Sequence, residues 1–270
     1  MSAMPAASAR TSTADAAPWR WAALGLLAGL LLALVVFAPA RWLAALVRQA
    51  SGEQLLLLAP RGSVWRGSAQ LALSGGAGSK DAIALPGLLV WRIRPAPGGL
   101  SMQFSAECCT PLPLRLFAAP TGWRGVRLVL ADGQSNWPAG LLAGLGTPWN
   151  TVRAQGRLVA STQGFTAEWI ERRLRLAGRL QLDALELSSR LSTLRPMGSY
   201  RLTLDGGTPT TLRLETLAGG LQLSGQGQWV GERLRFDGVA SASPESVEAL
   251  SNLLNIIGRR SGATAIIKVG

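Results

Sequence analysis

The sequence predicts a mainly β protein, in which a single N-terminal transmembrane helix precedes an antiparallel β-rich domain with a few short helices. Two observations support this fold class. An uncharged apolar run occupies residues 21–37, and the rest of the chain alternates apolar and polar residues in short segments separated by glycine and proline. Such alternation is typical of strands that have one face in a core and one in solvent. Turn signals about every ten residues indicate a meander, a sandwich or an open roll.

The apolar run from Trp21 to Phe37, which Ala38 extends, is long enough to span a bilayer. A spanning helix needs about 20 mostly apolar residues, with a lower limit near 17. Trp19 and Trp42 flank the run as interfacial rings. We therefore predict a disordered tail at residues 1–18, which are rich in Ala, Ser and Thr, and a transmembrane anchor at residues 19–38.

Two properties of the anchor stay open at this point. The small residues of Ala38-Pro39-Ala40 resemble a signal-peptide cleavage site, but the apolar core is longer than the 7–15 residues usual for such a signal, which favours an uncleaved anchor. The orientation is weakly encoded, because two arginines precede the helix and two follow it closely. The positive-inside rule therefore does not choose a side.

Residues 39–270 form the predicted β domain. Short helices are expected near Pro39, Pro138 and Pro244, and each of them ends at a glycine and precedes a strand. The first two intervals are each about 100 residues, as in a duplication of residues 39–137 as 138–243. Chance alternation of helices and strands is the other interpretation. A C-terminal helix and strand at residues 244–270 close the domain, and an apolar stripe marks that helix: Val247, Leu250, Leu254 and Ile257.

Two local signals lie in the middle of the chain. Asp132-Gly133 is a dipeptide typical of a hairpin turn. The segment 136–146 has a helical composition, and Asn136 is placed to cap its N-terminus. We therefore predict a hairpin at 132–133 that is followed directly by a helix.

The composition excludes several classes of function. The chain has no His and only two Cys, which removes His-based triads, most zinc sites, four-Cys metal sites and a disulfide framework. No phosphate loop, nucleophile elbow or paired-carboxylate pattern is present, so we expect neither a cofactor nor enzymatic activity. The formal charge of +12 comes mostly from Arg. These arginines alternate along strands without a dense basic run, so nucleic-acid binding is not expected.

Cys108 and Cys109 are adjacent. Neighbouring cysteines can form a vicinal disulfide, an eight-membered ring that would act as a redox-sensitive staple in an oxidising compartment. Two half-buried thiols in a turn, or a bridge between two chains, are the alternatives.

Several motifs recur in a fixed order along the chain. The most specific is Gly62-Ser-Val-Trp65-Arg-Gly67, in which the two glycines indicate turns, bulges or close backbone packing. Trp91-Arg-Ile-Arg-Pro95 and Gly198-Ser-Tyr-Arg-Leu follow, and the Leu-rich helix after Pro244 with its apolar strand completes the pattern. This ordered set resembles the type II secretion system protein N family of Gram-negative bacteria, and the resemblance covers nearly the whole chain from about residue 20.

This resemblance implies a single-pass inner-membrane protein with a cytoplasmic tail and a periplasmic β domain. Its role would be that of a non-enzymatic accessory component in the export of folded proteins across the outer membrane. The implied partners are the inner-membrane platform, the clamp protein and the secretin, with membrane lipid at the anchor. The resemblance carries over no binding residues, and it gives the Cys108–Cys109 pair no role.

A second function stays open beside this one. Alternating strands can curl so that an apolar inner face holds an acyl chain, as in a membrane-anchored lipid-binding or lipid-transfer β-groove that resembles the AsmA type. A lipid carrier needs a continuous apolar groove open to solvent, whereas an assembly component needs a filled core.

Overall fold

A computed structural model of the chain describes residues 19–122, 125–147, 149–171, 173–231 and 233–270. The chain divides into two compact units, Met1–Ala38 and Pro39–Gly270. The first contains helix α1, Trp19–Val36, which is long and apolar enough to cross a membrane and has no buried residue. The predicted apolar helix is therefore confirmed. The predicted disordered tail lies outside the described residues.

In the described part of the chain, the second unit is built on one antiparallel sheet of 16 strands. The strands are β1 Leu55–Gly62, β2 Arg66–Ser74, β3 Ala82–Ala84, β4 Leu89–Ala96, β5 Gly99–Ala106, β6 Leu114–Thr121, β7 Gly125–Leu130, β8 Gly133–Pro138, β9 Gln155–Ile170, β10 Arg173–Ser188, β11 Gly198–Asp205, β12 Thr211–Gly219, β13 Leu221–Val230, β14 Arg233–Ala242, β15 Arg259–Ser261 and β16 Thr264–Val269. Strands that are close in sequence are mostly neighbours in the sheet, which runs from β1 at one edge to β15 at the other. The mainly β, antiparallel prediction is confirmed, and of the three architectures the chain adopts a meander.

The two faces of the sheet differ in chemistry. Leu182, Leu202 and Leu214 are partners across β10, β11 and β12, so they share one face, which we call the inner face. Asp183 and Arg201 are also partners and point the other way, onto the outer face. This is the alternation that the sequence predicts for half-buried antiparallel strands.

Short helices pack on the inner face. Helix α2, Ala40–Ala50, contributes Ala40 to a cluster with Trp91 and Ile93. A 3₁₀ helix, Ala139–Leu145, and helix α3, Trp149–Val152, follow in the middle of the chain, and helix α4, Val247–Ile257, comes near the end. Helices are thus present near all three predicted prolines. Whether residues 39–137 and 138–243 are a duplication stays a prediction.

The middle of the chain departs from the prediction in two ways. The prediction of a hairpin at Asp132-Gly133 is wrong. The chain does not reverse there, because β7 and β8 run in the same direction and both pair with β9, one after the other. The Asp132 carboxylate instead accepts a hydrogen bond from the Gly164 N–H at 2.6 Å. Asn136 does not cap a helix either. It pairs with Val159 inside β8, because ladder hydrogen bonds outweigh a single cap, and the helix begins only at Ala139.

Helix α4 closes a core cluster against β11, β13, β14 and β16. The predicted positions Leu250 and Leu254 are fully buried, and Leu253 is buried beside them. The prediction missed Leu253 because it assumed a narrow stripe, whereas a helix lying on a sheet buries a broader one. In the same cluster the Tyr200 hydroxyl donates to the Leu221 carbonyl oxygen at 3.1 Å, and burial raises the pKa of Tyr200. The side chain of Ile257 lies outside the described part of the chain.

Candidate interaction surfaces

The Gly-x-x-Trp-x-Gly motif forms the turn between β1 and β2. Gly62 and Gly67 are partners at the base of the turn, and the Ser63 N–H donates to the Arg66 carbonyl oxygen at 2.8 Å. Gly62 has φ +87°, and a β-carbon there would collide with the Arg66 carbonyl oxygen. A residue with a side chain would therefore be strained at position 62.

The same motif holds the indole of Trp91 on β4. A β-carbon at Gly67 would lie 2.5 Å from the Trp91 ring, so only glycine leaves room for it. The Trp91 Nε1–H donates to the carbonyl oxygens of Ser63 at 3.2 Å and Val64 at 3.1 Å. The structure thus gives Gly62 and Gly67 a packing role around Trp91. Gly67 and Trp91 both belong to motifs identified in the sequence, but their contact depends on the pairing register of β2 with β4.

The first edge of the sheet is strand β1. Two of its leucines are partly open to solvent: Leu55 is 37 % exposed and Leu58 is 42 % exposed. The other edge, β15, has only three residues. An exposed edge strand offers unpaired backbone groups to which a partner strand can add. Strand β1 is therefore the longer of the two candidate edges, and strand addition would begin after Leu55, whose N–H already donates to the Ser51 Oγ at 3.0 Å.

An open groove lies on the inner face near the hairpin ends of β9, β10 and β13. It has a volume of about 780 Å³, and its apolar lining includes Trp169, Leu174, Leu176 and Trp229. Trp169 is 55 % exposed and Leu174 is 50 % exposed. The described residues that line the groove come from strands and turns, and no described helix contributes to it.

Cys108 and Cys109 lie in the turn after β5, where the structure joins their sulfur atoms at 2.09 Å. Cys108 is exposed, whereas Cys109 is buried in a cluster with Leu85 and Leu141. The turn is closed by the Ala106 N–H, which donates to the Thr110 Oγ1 at 2.8 Å. The oxidation state of the pair in the cell stays a prediction.

We expect the full chain, purified without reductant, to carry the Cys108–Cys109 bridge and to resist thiol alkylation. Both cysteines should become alkylated after reduction, as measured by intact mass. Alkylation before reduction would contradict the bridge. A disulfide-linked dimer on a non-reducing gel would indicate pairing between chains instead.

An ion pair stands out on the outer face between β10 and β11. The Arg201 guanidinium donates from Nε and Nη2 to the two Asp183 carboxylate oxygens at 2.8 and 2.9 Å. The Gln181 amide donates to the same carboxylate. The hydrogen bond from Arg201 holds the pKa of Asp183 below its usual value, although burial acts in the opposite direction. Because the side chain of Asp183 is only 15 % exposed, this pair is better shielded from water than its neighbours.

This pair predicts a pH dependence of stability. A carboxyl group with a lowered pKa in the folded state stabilises the fold above its unfolded pKa, near 3.9, and loses that contribution as the pH falls through the folded pKa. We expect Asp183→Asn to lower the free energy of unfolding by about 1 kcal/mol at neutral pH. The same variant should lose less stability than the unmodified chain as the pH falls, as measured by urea unfolding at several pH values. Asp205→Asn is the control, because the Asp205 side chain pairs with Arg179 and is 40 % exposed. It should lower the free energy of unfolding by less than Asp183→Asn does. Equal effects of the two variants would contradict the assignment.

Within the described ranges, no three His, Cys, Asp or Glu side chains are grouped so that they could hold a metal ion. The expectations of no cofactor and no catalytic residue stay predictions. The surfaces described above are suited to contacts with other macromolecules or lipids.

The β domain is similar to one known protein family. The family model described as type II secretion system (T2SS), protein N, matches residues 53–266. That range includes every strand from β1 to β15 and the first half of β16. No curated protein and no solved structure matches the chain significantly.

Proposed function

Since the chain belongs to the type II secretion system protein N family, we propose that it is a non-enzymatic accessory component of that system. Helix α1 anchors it in the inner membrane, and the β domain lies in the periplasm and supports the export of folded proteins. The family match over residues 53–266 carries this proposal. Helix α1, which lies ahead of the matched region and is long and apolar enough to cross a membrane, supports the anchoring.

The proposed mode of action of the β domain is contact with other secretion components. The proposed partners are the inner-membrane platform, the clamp protein and the secretin. Strand β1 is the proposed contact edge, because it is eight residues long and its apolar side chains are partly exposed. Backbone hydrogen bonds to an added strand would supply affinity, and the side chains of Leu55 and Leu58 would supply specificity.

Topology provides the first test. Alkaline phosphatase fused after Gly270 should be active in cells, whereas a reporter active only in the cytoplasm, fused at the same place, should be silent. The reverse pattern would overturn the periplasmic assignment. The intact mass of the membrane-extracted chain tests the anchor separately, because cleavage at Ala38-Pro39-Ala40 would remove α1.

Loss of the protein should also impair secretion. We expect a strain without the gene to retain secreted proteins in the periplasm, and expression of the full chain to restore their export. Unchanged export in a strain that depends on the type II system would argue against an accessory role.

The inner groove favours a second candidate function, lipid binding. The exposed Trp169 and Leu174 offer an apolar surface of the kind that an acyl chain covers. In that case the purified full chain would carry lipid extractable by organic solvent, and Leu174→Asp would remove it. If the Leu174→Asp variant carries as much extractable lipid as the unmodified chain, the groove does not bind that lipid.

A further inference from the structure

A second cleft lies on the outer face, beside the turn that holds Trp91. Its volume is about 590 Å³, and three arginines line it, namely Arg61, Arg66 and Arg92. Ser68, Gln103 and Ser105 add neutral hydrogen-bonding side chains, and the rest of the lining is apolar or glycine: Gly62, Gly67, Val90, Trp91 and Pro113. The strand registers place these polar side chains on the same face of β1, β2, β4 and β5. The cleft therefore gathers donors that suit an anion.

The positive charge in this cleft is not compensated by the protein. Arg66 and Arg92 are direct partners across β2 and β4, and like charges at such positions destabilise a sheet. No ion pair between described residues involves Arg61, Arg66 or Arg92. Among the described residues, three arginines elsewhere on the outer face have acidic partners, namely Arg127, Arg179 and Arg201. A repulsive pair that the fold keeps without a counter-ion points to a ligand that supplies the negative charge.

The chain keeps this cleft close to the start of the β domain. Ser63, in the turn between Gly62 and Gly67, forms a β-bridge with Pro39. Pro39 is the third residue after Val36, the last residue of α1, and three residues reach about 10 Å at most. If α1 spans the bilayer, the covalent chain therefore holds Pro39 within reach of the lipid headgroups. The nearest abundant anions are then lipid phosphates.

Helix α2, which packs on the inner face of the same strands, also has a composition typical of a membrane interface. Its inward side packs on the sheet, but Trp42 is 48 % exposed and Leu46 is 62 % exposed, one helical turn apart. Arg41 and Arg48 are exposed on the same helix. Exposed Trp and Leu beside Arg are typical of helices that lie at a membrane interface. The composition of α2 therefore supports a membrane interface at this end of the domain, although the cleft itself opens on the opposite face of the sheet.

We propose that the arginine cleft binds the headgroup phosphate of an anionic phospholipid. Guanidinium groups donate paired, charge-assisted hydrogen bonds to phosphate oxygens, and the bound phosphate relieves the repulsion between Arg66 and Arg92. The inference rests on the proposed anchoring by α1. It goes beyond that anchoring because it assigns a specific headgroup site to the β domain, which fixes the domain against the membrane surface.

Lipid retention by the full chain tests this site. The protein is reconstituted in nanodiscs that contain phosphatidylethanolamine and phosphatidylglycerol, and the lipids kept after release are counted by native mass spectrometry. The test variant is Arg66→Gln/Arg92→Gln. The matched control is Arg213→Gln/Arg235→Gln, which removes two exposed strand arginines from β12 and β14. A folded state equal to that of the unmodified chain is checked by circular dichroism.

We expect the test variant to retain phosphatidylglycerol at least about tenfold more weakly than the unmodified chain, since each of the two basic residues removed contributes roughly a factor of five near an anionic surface. The control should match the unmodified chain. Equal retention by both variants would overturn the site. Displacement of the lipid from the unmodified chain by inorganic phosphate would identify free phosphate as the ligand and overturn the lipid assignment. Failure of the anchor would be visible separately, as protein that does not enter the nanodiscs.

Discussion

Replacing Trp91 by alanine is expected to lower the free energy of unfolding by about 3–5 kcal/mol. The indole is 2 % exposed and packs with Ala40, Ala69 and Ile93. Its truncation leaves a cavity under α2 and removes both hydrogen bonds to the β1–β2 turn. Because the surrounding backbone is fixed by sheet pairing, little collapse can offset this loss.

Two further variants test whether the loss of stability comes from the buried position of Trp91 and its packing against Gly67. Trp149→Ala removes the same side chain from a 41 % exposed position and should cost far less. Gly67→Ala changes a different residue but forces the same ring to move, so it should also destabilise the domain by about 1–3 kcal/mol. Urea unfolding followed by circular dichroism measures all three. A Trp91→Ala variant as stable as Trp149→Ala would refute the packing role of the motif.

Replacing Leu254 by alanine is also expected to have a large effect, lowering the free energy of unfolding by about 2–5 kcal/mol. Leu254 is 0 % exposed, and its cluster joins α4 to Leu221, Ala240 and Ala265 on three strands. Since β16 and β15 follow α4 in the chain, loosening this helix should also expose the last strands.

Ile256→Ala is the matched control for Leu254→Ala, because it shortens an aliphatic side chain on the same helix at a 44 % exposed position. Hydrogen exchange measured by mass spectrometry should show faster exchange in residues 259–269 for Leu254→Ala only. Equal protection in both variants would contradict the clamping of β15 and β16 by α4.

The fold class followed from local patterns. Period-two alternation predicts the strands, and Ser243 with Pro244 marks the start of the last helical region, where a 3₁₀ turn leads into α4. These signals concern neighbouring residues, so a single sequence contains them. The same holds for α1, whose apolar length alone predicts it.

Pairing between distant residues could not be predicted in this way. Asp132-Gly133 has the composition of a hairpin, but the chain runs straight on because β9 is long enough to pair with both β7 and β8. The contact of Gly67 with Trp91 and the opposition of Arg66 and Arg92 depend on the β2–β4 register. A one-residue shift of that register would turn each side chain to the other face, and no local signal fixes it.

Site-specific photocrosslinking in secreting cells tests the central claim, that this domain works through contact with other secretion components. A photoreactive amino acid replaces Leu58 on the β1 edge, and the same residue replaces Arg213 on β12 as the control. We predict that Leu58 captures an identified component of the type II system and that Arg213 does not. If neither Leu58 nor Leu55 captures such a component while the protein is present and secretion is intact, the proposed role of the β1 edge is wrong.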